Sequence, residues 1–247
     1  MKTQNKIHYG ALDGLRAYSA IGVAMMHILP NANISVIGIG WFLGLIFVFY
    51  MIFPFFCYLI SNRNRAWGTF IISMIFNVIC RIYFFDNNHV ISGFDVRGNI
   101  IYSAMFFMLG GILFLYKNSI YEFCQKKKIL IALLTVIIAG IYFYQGKSEP
   151  FIMLVLFGLL LIYSIASQNN TGKILSNKFT KFIGNISLEI YLCHMVFYRM
   201  IEKVHMNHLF GNEILSYIVT VIMTLACAII FSCVVKYLLE KMMQKKL

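Results

Sequence analysis

The sequence predicts an all-α, polytopic integral membrane bundle of about eight transmembrane helices, and three observations predict it. Of 247 residues, 60% are hydrophobic and 12% charged, with a mean hydropathy of +0.78, far from the composition of a soluble domain. The apolar residues gather into runs long enough to cross about 30 Å of hydrocarbon. Lys and Arg collect in alternate loops between those runs, which is the pattern of cytoplasmic loops. A net charge of +12 invites a nucleic-acid reading. The basic residues fall in short clusters between apolar runs instead of along one face, so nucleic-acid binding is rejected.

In chain order the runs are 11–29, 40–60, 67–85, 99–116, 129–144, 151–167, 182–201 and 214–238. The first is no cleavable signal, because Asp13 and Arg16 interrupt any apolar core of one, so it stays as a span. Pro54 should kink the second. Trp67 opens the third and Trp41 the second, with Tyr residues near several ends, as interfacial anchoring belts require. Between the fifth and sixth runs lies a short turn, 145–150, so that pair also reads as one helical hairpin. The six cysteines show no CxxC and no disulfide spacing, and read as small apolar packing residues.

Orientation follows from the basic residues. Lys2 and Lys6 precede the first run, Arg63 and Arg65 follow the second, and Lys117 with Lys126, Lys127 and Lys128 follows the fourth. Lys173, Lys178 and Lys181 follow the sixth, and Lys236, Lys241, Lys245 and Lys246 close the chain. The opposite loops hold chiefly Arg97, Lys147 and Lys203. Both termini are therefore expected in the cytoplasm, in agreement with an even number of spans. Arg16 then lies near the cytoplasmic surface and His27 toward the outer side.

Ionisable groups inside apolar runs mark candidate function. On a helix, Arg16 and His27 fall within about 20° of one another and about 16 Å apart along the axis. Asp13 stands three residues before Arg16, close enough to partner the guanidinium. The plain alternative is an anchor helix with a snorkelling arginine and an interfacial histidine. In the seventh run Tyr191 and His194 lie one turn apart on one face, and Glu189 is an acid that needs a polar surrounding. His194 can equally be a satisfied packing histidine. Asn77 and Arg81, four apart, either line one cavity or send Arg81 to the outer interface, and the interface is the simpler reading. His205 and His208 form a His-x-x-His pair with no third ligand, so no metal site is expected there, and His89 reads as a loop residue.

Three stretches resemble the acyltransferase 3 family of integral membrane enzymes. They are Leu12-Asp13-Gly14-Leu15-Arg16-Ala17 followed by His27, the frame Trp41, Leu43, Phe49-Tyr50 and Pro54, and Gly184 with Ser187 leading into Tyr191-Leu192-Cys193-His194. The resemblance implies an O-acyltransferase of the bacterial inner membrane. Its donor would be acetyl-CoA or another acyl-CoA presented at the cytoplasmic side, its acceptor a hydroxyl of a cell-surface glycan or lipid-linked precursor, with no bound cofactor. His27 would act as general base or transient acyl acceptor, and Arg16 would hold a donor phosphate or the carbonyl oxygen. Asp13, Tyr50, Glu189, Tyr191 and His194 would line the substrate site. The basic loops, Lys126-Lys127-Lys128 above all, could attract the donor's phosphates, although topology alone explains them.

Two departures accompany the likeness. Ile46 and Phe47 occupy positions where the family often carries a glutamate. Family members typically have about ten spans, and by that resemblance two are missing between Ile28 and Asn31, so residues 1–247 read as one shortened domain that could associate with a second copy. The rival readings are an inactive truncated family member and a transporter of a polar substrate, although no internal symmetry of the transporter kind is visible.

Overall fold

The computed structural model describes residues 10–28, 40–84, 89, 99–144, 149–167, 175–206 and 211–244, and among them there are helices and turns but no strands. A helix stands at every predicted apolar run. In chain order they are α1 (Gly10–His27), α2 (Gly40–Met51), α3 (Phe53–Ile60), α4 (Arg63–Tyr83), α5 (Ile100–Leu115), α6 (Lys117–Cys124), α7 (Lys128–Tyr144), α8 (Pro150–Ala166), α9 (Lys178–Asn185), α10 (Ser187–Lys203) and α11 (Glu213–Gln244). Among the described residues, Arg63–Tyr83, Lys117–Tyr144 and Glu213–Leu239 are long and apolar enough to cross a membrane, and the bent pair α2 and α3 meets the same test only when its two halves are taken together. The helices α5 and α8 are apolar but shorter, with 16 and 17 residues. Many large apolar side chains point outward, Ile72, Ile75, Phe76 and Ile82 along α4 among them. That surface suits lipid, since an aqueous protein seldom exposes so continuous an apolar face.

Three boundaries differ from the sequence expectation, each for a local reason. The second run breaks at Ile52 and turns by 63° between its halves. Pro54 has no N–H and its ring crowds the carbonyl four residues back, so the helix yields just before it. The seventh run divides at Ile186, where Ser187 donates its hydroxyl to the Gly184 carbonyl at 2.9 Å and restarts the chain as α10. The expected basic loop after the fourth run is instead helical, α6 continuing through a 3₁₀ turn at Gln125–Lys127 into α7. No Gly or Pro lies between Lys117 and Lys128 to stop it. Lys127 lays its ammonium 3.9 Å from the centre of the Phe123 ring on that same helical stretch.

Contacts gather into two compact units, residues 39–167 and residues 1–38 with 168–247. The first contains α2 to α8. Its core joins Phe56, Ala66, Phe70, Met105, Met108, Ile112 and Leu154. The ring of Phe107 packs 4.3 Å, centre to centre, from both Phe49 and Phe56. Asn77 is wholly buried on α4, while Arg81 is partly exposed and meets Glu149 at 3.4 Å, so the two do not share one environment. The second unit contains α1 and α9 to α11, with Ala17, Ala20, Ile183, Ile186, Ile190, Cys193 and Ala228 as its core. Alanines on the inner face of α1 let that helix lie close against its neighbours, which small residues do in place of a hydrophobic driving force in lipid.

Candidate functional site

Within the second unit α1 packs on both α9 and α10, and two glycines set how closely it approaches α9 and the turn before it. A Cβ on Gly14 would lie 2.1 Å from the Leu175 carbonyl oxygen, and one on Gly184 would lie 2.3 Å from the Asp13 carbonyl oxygen. Backbone therefore meets backbone at the start of α1, and only residues without a side chain fit there. This explains physically why positions 14 and 184 of the two sequence motifs are glycine. Sequence reasoning singled out these stretches without seeing that they touch.

At the other end of α1 the same packing brings His27 to His194. The His27 Nδ1 and His194 Nε2 atoms are 3.0 Å apart. The rings are nearly parallel, 11° between planes, with centres 5.3 Å apart. That separation is the nitrogen contact plus rather less than one ring bond at either end, so the two nitrogens point at each other along the line of centres. The rings are thus close to coplanar and joined edge to edge, the geometry of an in-plane hydrogen bond.

His194 is fully buried, and its Nδ1 stands 2.7 Å from the Tyr191 carbonyl oxygen and 3.2 Å from that of Ile190. His27 is half-buried at the last position of its helix. Tyr217 of α11, which sequence reasoning did not single out, donates its hydroxyl to the Met25 carbonyl at 3.0 Å. It thereby satisfies one of the last carbonyls of α1, which have no partner within the helix, and steadies the turn that carries His27. No motif or spacing flags Tyr217.

Of the remaining expected site residues, Tyr191 adjoins this pair and the others fall elsewhere. Arg16 lies toward the start of α1, its side chain 57% exposed, with a guanidinium nitrogen 3.7 Å from an Asp13 carboxylate oxygen. That pair is an exposed one and contributes little to stability. At the same end Lys236 donates to the Asn185 carbonyl at 3.0 Å, and Lys178 and Lys181 belong to α9, which packs on α1. Arg16 thus has a cationic setting, about 16 Å along the helix from His27. Tyr191 places its ring 5.8 Å from that of His194. Glu189 instead lines an apolar groove of about 490 Å³ with Leu192, Cys193, Val196, Phe197, Met200, Phe231 and Val235. Tyr50 belongs to the other compact unit, 73% exposed. Among the described residues no three His, Cys, Asp or Glu side chains cluster to hold a metal ion.

An all-helical membrane protein with a histidine pair held between its first and a late helix is the class these features define. The acyltransferase 3 model, described as an acyltransferase domain, matches residues 31–233, and the chain belongs to that family of membrane acyltransferases. The matched stretch includes Tyr50, Glu189, Tyr191 and His194, while Asp13, Arg16 and His27 precede it. No curated protein and no solved structure matches the chain.

Proposed function

We propose that the chain transfers an acyl group, most simply acetyl, from an acyl-CoA to a hydroxyl of a cell-surface glycan or its lipid-linked precursor in a bacterial inner membrane. The observation that carries the reading is the pairing of His27, from the opening motif, with His194, from the family's late signature, at 3.0 Å. An imidazole oriented by a second group is the arrangement general base catalysis needs. With His27 as base, the acceptor's oxygen attacks the thioester carbonyl as its proton passes to the imidazole. The C–S bond then breaks and the thiolate of CoA takes that proton.

The distance along α1 divides the labour between its two basic residues, Arg16 and His27. A guanidinium about 16 Å away cannot reach the carbonyl that His27 serves. Arg16, with Lys178, Lys181 and Lys236 at the same end of the unit, is therefore assigned to the phosphates of the donor, which lie many bonds from the thioester. Forked donors without risk of deprotonation suit that task.

The deciding experiment supplies purified protein in sealed lipid vesicles with acetyl-CoA and isolated surface glycan, reading free thiol and glycan-bound acetyl by mass spectrometry and substrate uptake into the vesicle lumen. Acetyl gain on glycan that requires the protein is the expected result. Movement of substrate across the bilayer without acetylation would favour the transporter, and neither activity would favour an inactive family member. The same preparation tests whether the two spans that the resemblance implies are missing are dispensable, since activity of the unmodified chain requires that they are.

Topology is checked separately. Reporters fused after Leu247 and inserted at Asn170 should both report the cytoplasm, and one at Asn207 the outside, as the basic residues dictate. An outside signal at Leu247 would overturn the eight-span arrangement and the sidedness assigned to donor and acceptor.

A further inference from the structure

Two facing imidazoles share one proton along their contact, and the backbone of α10 decides which ring supplies it. The His194 Nδ1 lies against two carbonyl oxygens, Tyr191 at 2.7 Å and Ile190 at 3.2 Å. A carbonyl oxygen can only accept, so this nitrogen carries a hydrogen. The described polar partners of His194 are these two carbonyls and His27, none of them an anion. A cationic ring there would be a fully buried charge without a counter-charge, so His194 is neutral and its Nε2 offers a lone pair. The in-plane contact at 3.0 Å then requires the hydrogen to sit on the His27 Nδ1.

We propose that His194 is a positioning residue: it holds His27 as the Nδ1–H tautomer, leaving the His27 Nε2 lone pair, on the far edge of that ring, as the base. The inference rests on the acyl-transfer reading for its consequence but not for its geometry. In the reaction the acceptor's O–H proton moves to the His27 Nε2 as the new O–C bond forms. The imidazolium so produced keeps its Nδ1–H bond to the His194 Nε2, which strengthens as charge develops on the donor ring. When the C–S bond breaks, the proton leaves the same Nε2 for the thiolate, and both histidines return to their starting tautomers. His194 itself never gains or loses a proton. Were the tautomers reversed, the His27 Nε2 would carry hydrogen and could abstract nothing.

The test reads tautomers directly and activity beside them. In protein labelled with ¹⁵N-histidine, with His27 assigned by difference against His27→Gln, solid-state NMR should show His27 protonated at Nδ1 and bare at Nε2. In His194→Phe, which fills the space but cannot accept, the His27 tautomers should mix. There kcat should fall at least about tenfold, a share of what a general base contributes, with KM for acyl-CoA little changed. His194→Gln, whose side-chain oxygen can reach the vacated acceptor position, should restore both the tautomer and most of kcat. A wild-type His27 protonated at Nε2, an unchanged tautomer in His194→Phe, or glutamine no better than phenylalanine would each overturn the proposal. If the wild-type chain transfers no acyl group, the function falls while the spectrum still decides the positioning role.

Discussion

His27→Ala is expected to lose roughly 10² to 10⁴ in kcat, the range general acid-base catalysis contributes, with little change in KM for the donor. Its folding should survive, because α1 is held by Ala17, Ala20 and Ala24 on its buried face and by its glycine contact, none of which involves the imidazole. Arg16→Lys should do the opposite, raising KM for acyl-CoA and leaving kcat near the wild-type value, since the charge remains and the reacting carbonyl lies out of its reach. Steady-state kinetics on the two purified variants separate these outcomes. Near-normal kcat in His27→Ala would remove the proposed base. The alternative role, a transient acyl-imidazole on His27, would show as acylated protein when donor is mixed with enzyme and acceptor is omitted. A base leaves the protein unmodified under those conditions.

How much of this was legible in the sequence varies with the range of the interaction. The helices were, because an apolar run of about 20 residues has few other fates in a membrane chain. Local breaks were partly legible. Pro54 announced a kink, yet the bend falls at Ile52, since the crowded carbonyl precedes the proline. The break at Ile186 carries no proline or glycine of its own, and it arises where Gly184 is pressed against the Asp13 backbone. A sequence window cannot contain a contact between residues so far apart in the chain. The helical stretch at Lys126-Lys127-Lys128 departs from the expected loop for a different reason: clustered charge suits a loop, but lysine is also a good helix former and nothing nearby stops a helix.

The site divides in the same way. Tyr191 and His194 share a face because they are one turn apart, and that could be read directly. The pairing of His194 with His27 could not, being a product of how α1 lies on α10. Glu189 was grouped with them because it is an acid in the same apolar run, but five positions carry it round the helix to the groove face beside Phe197 and Phe231. Arg16 and His27 share one angular face of the helix about 16 Å apart, and both facts are legible from their spacing in the sequence.

Gly14→Ala should destabilise the protein by about 3 kcal/mol, the upper end of ordinary overpacking, because the clash is with backbone that has no rotamer to give. Gly184→Ala should behave alike, since its Cβ would lie 2.3 Å from the Asp13 carbonyl oxygen. The control is on the same helix. Gly22 has open space where a Cβ would go, so Gly22→Ala should stabilise by up to about 1 kcal/mol through helix propensity alone. Apparent melting temperature in detergent, followed by loss of the monodisperse peak, should therefore fall for two of these variants and rise slightly for the third. Activity adds a second readout, because the glycine contact at the start of α1 also fixes the height at which its last residue meets α10. A displaced α1 separates the His27 Nδ1 from the His194 Nε2, so whatever Gly14→Ala protein remains folded should lose kcat as well as stability. Gly14→Ala that melts with the wild type and transfers acyl groups at the wild-type rate would show that the close approach of Gly14 to Leu175 neither holds the unit together nor sets the histidine pair.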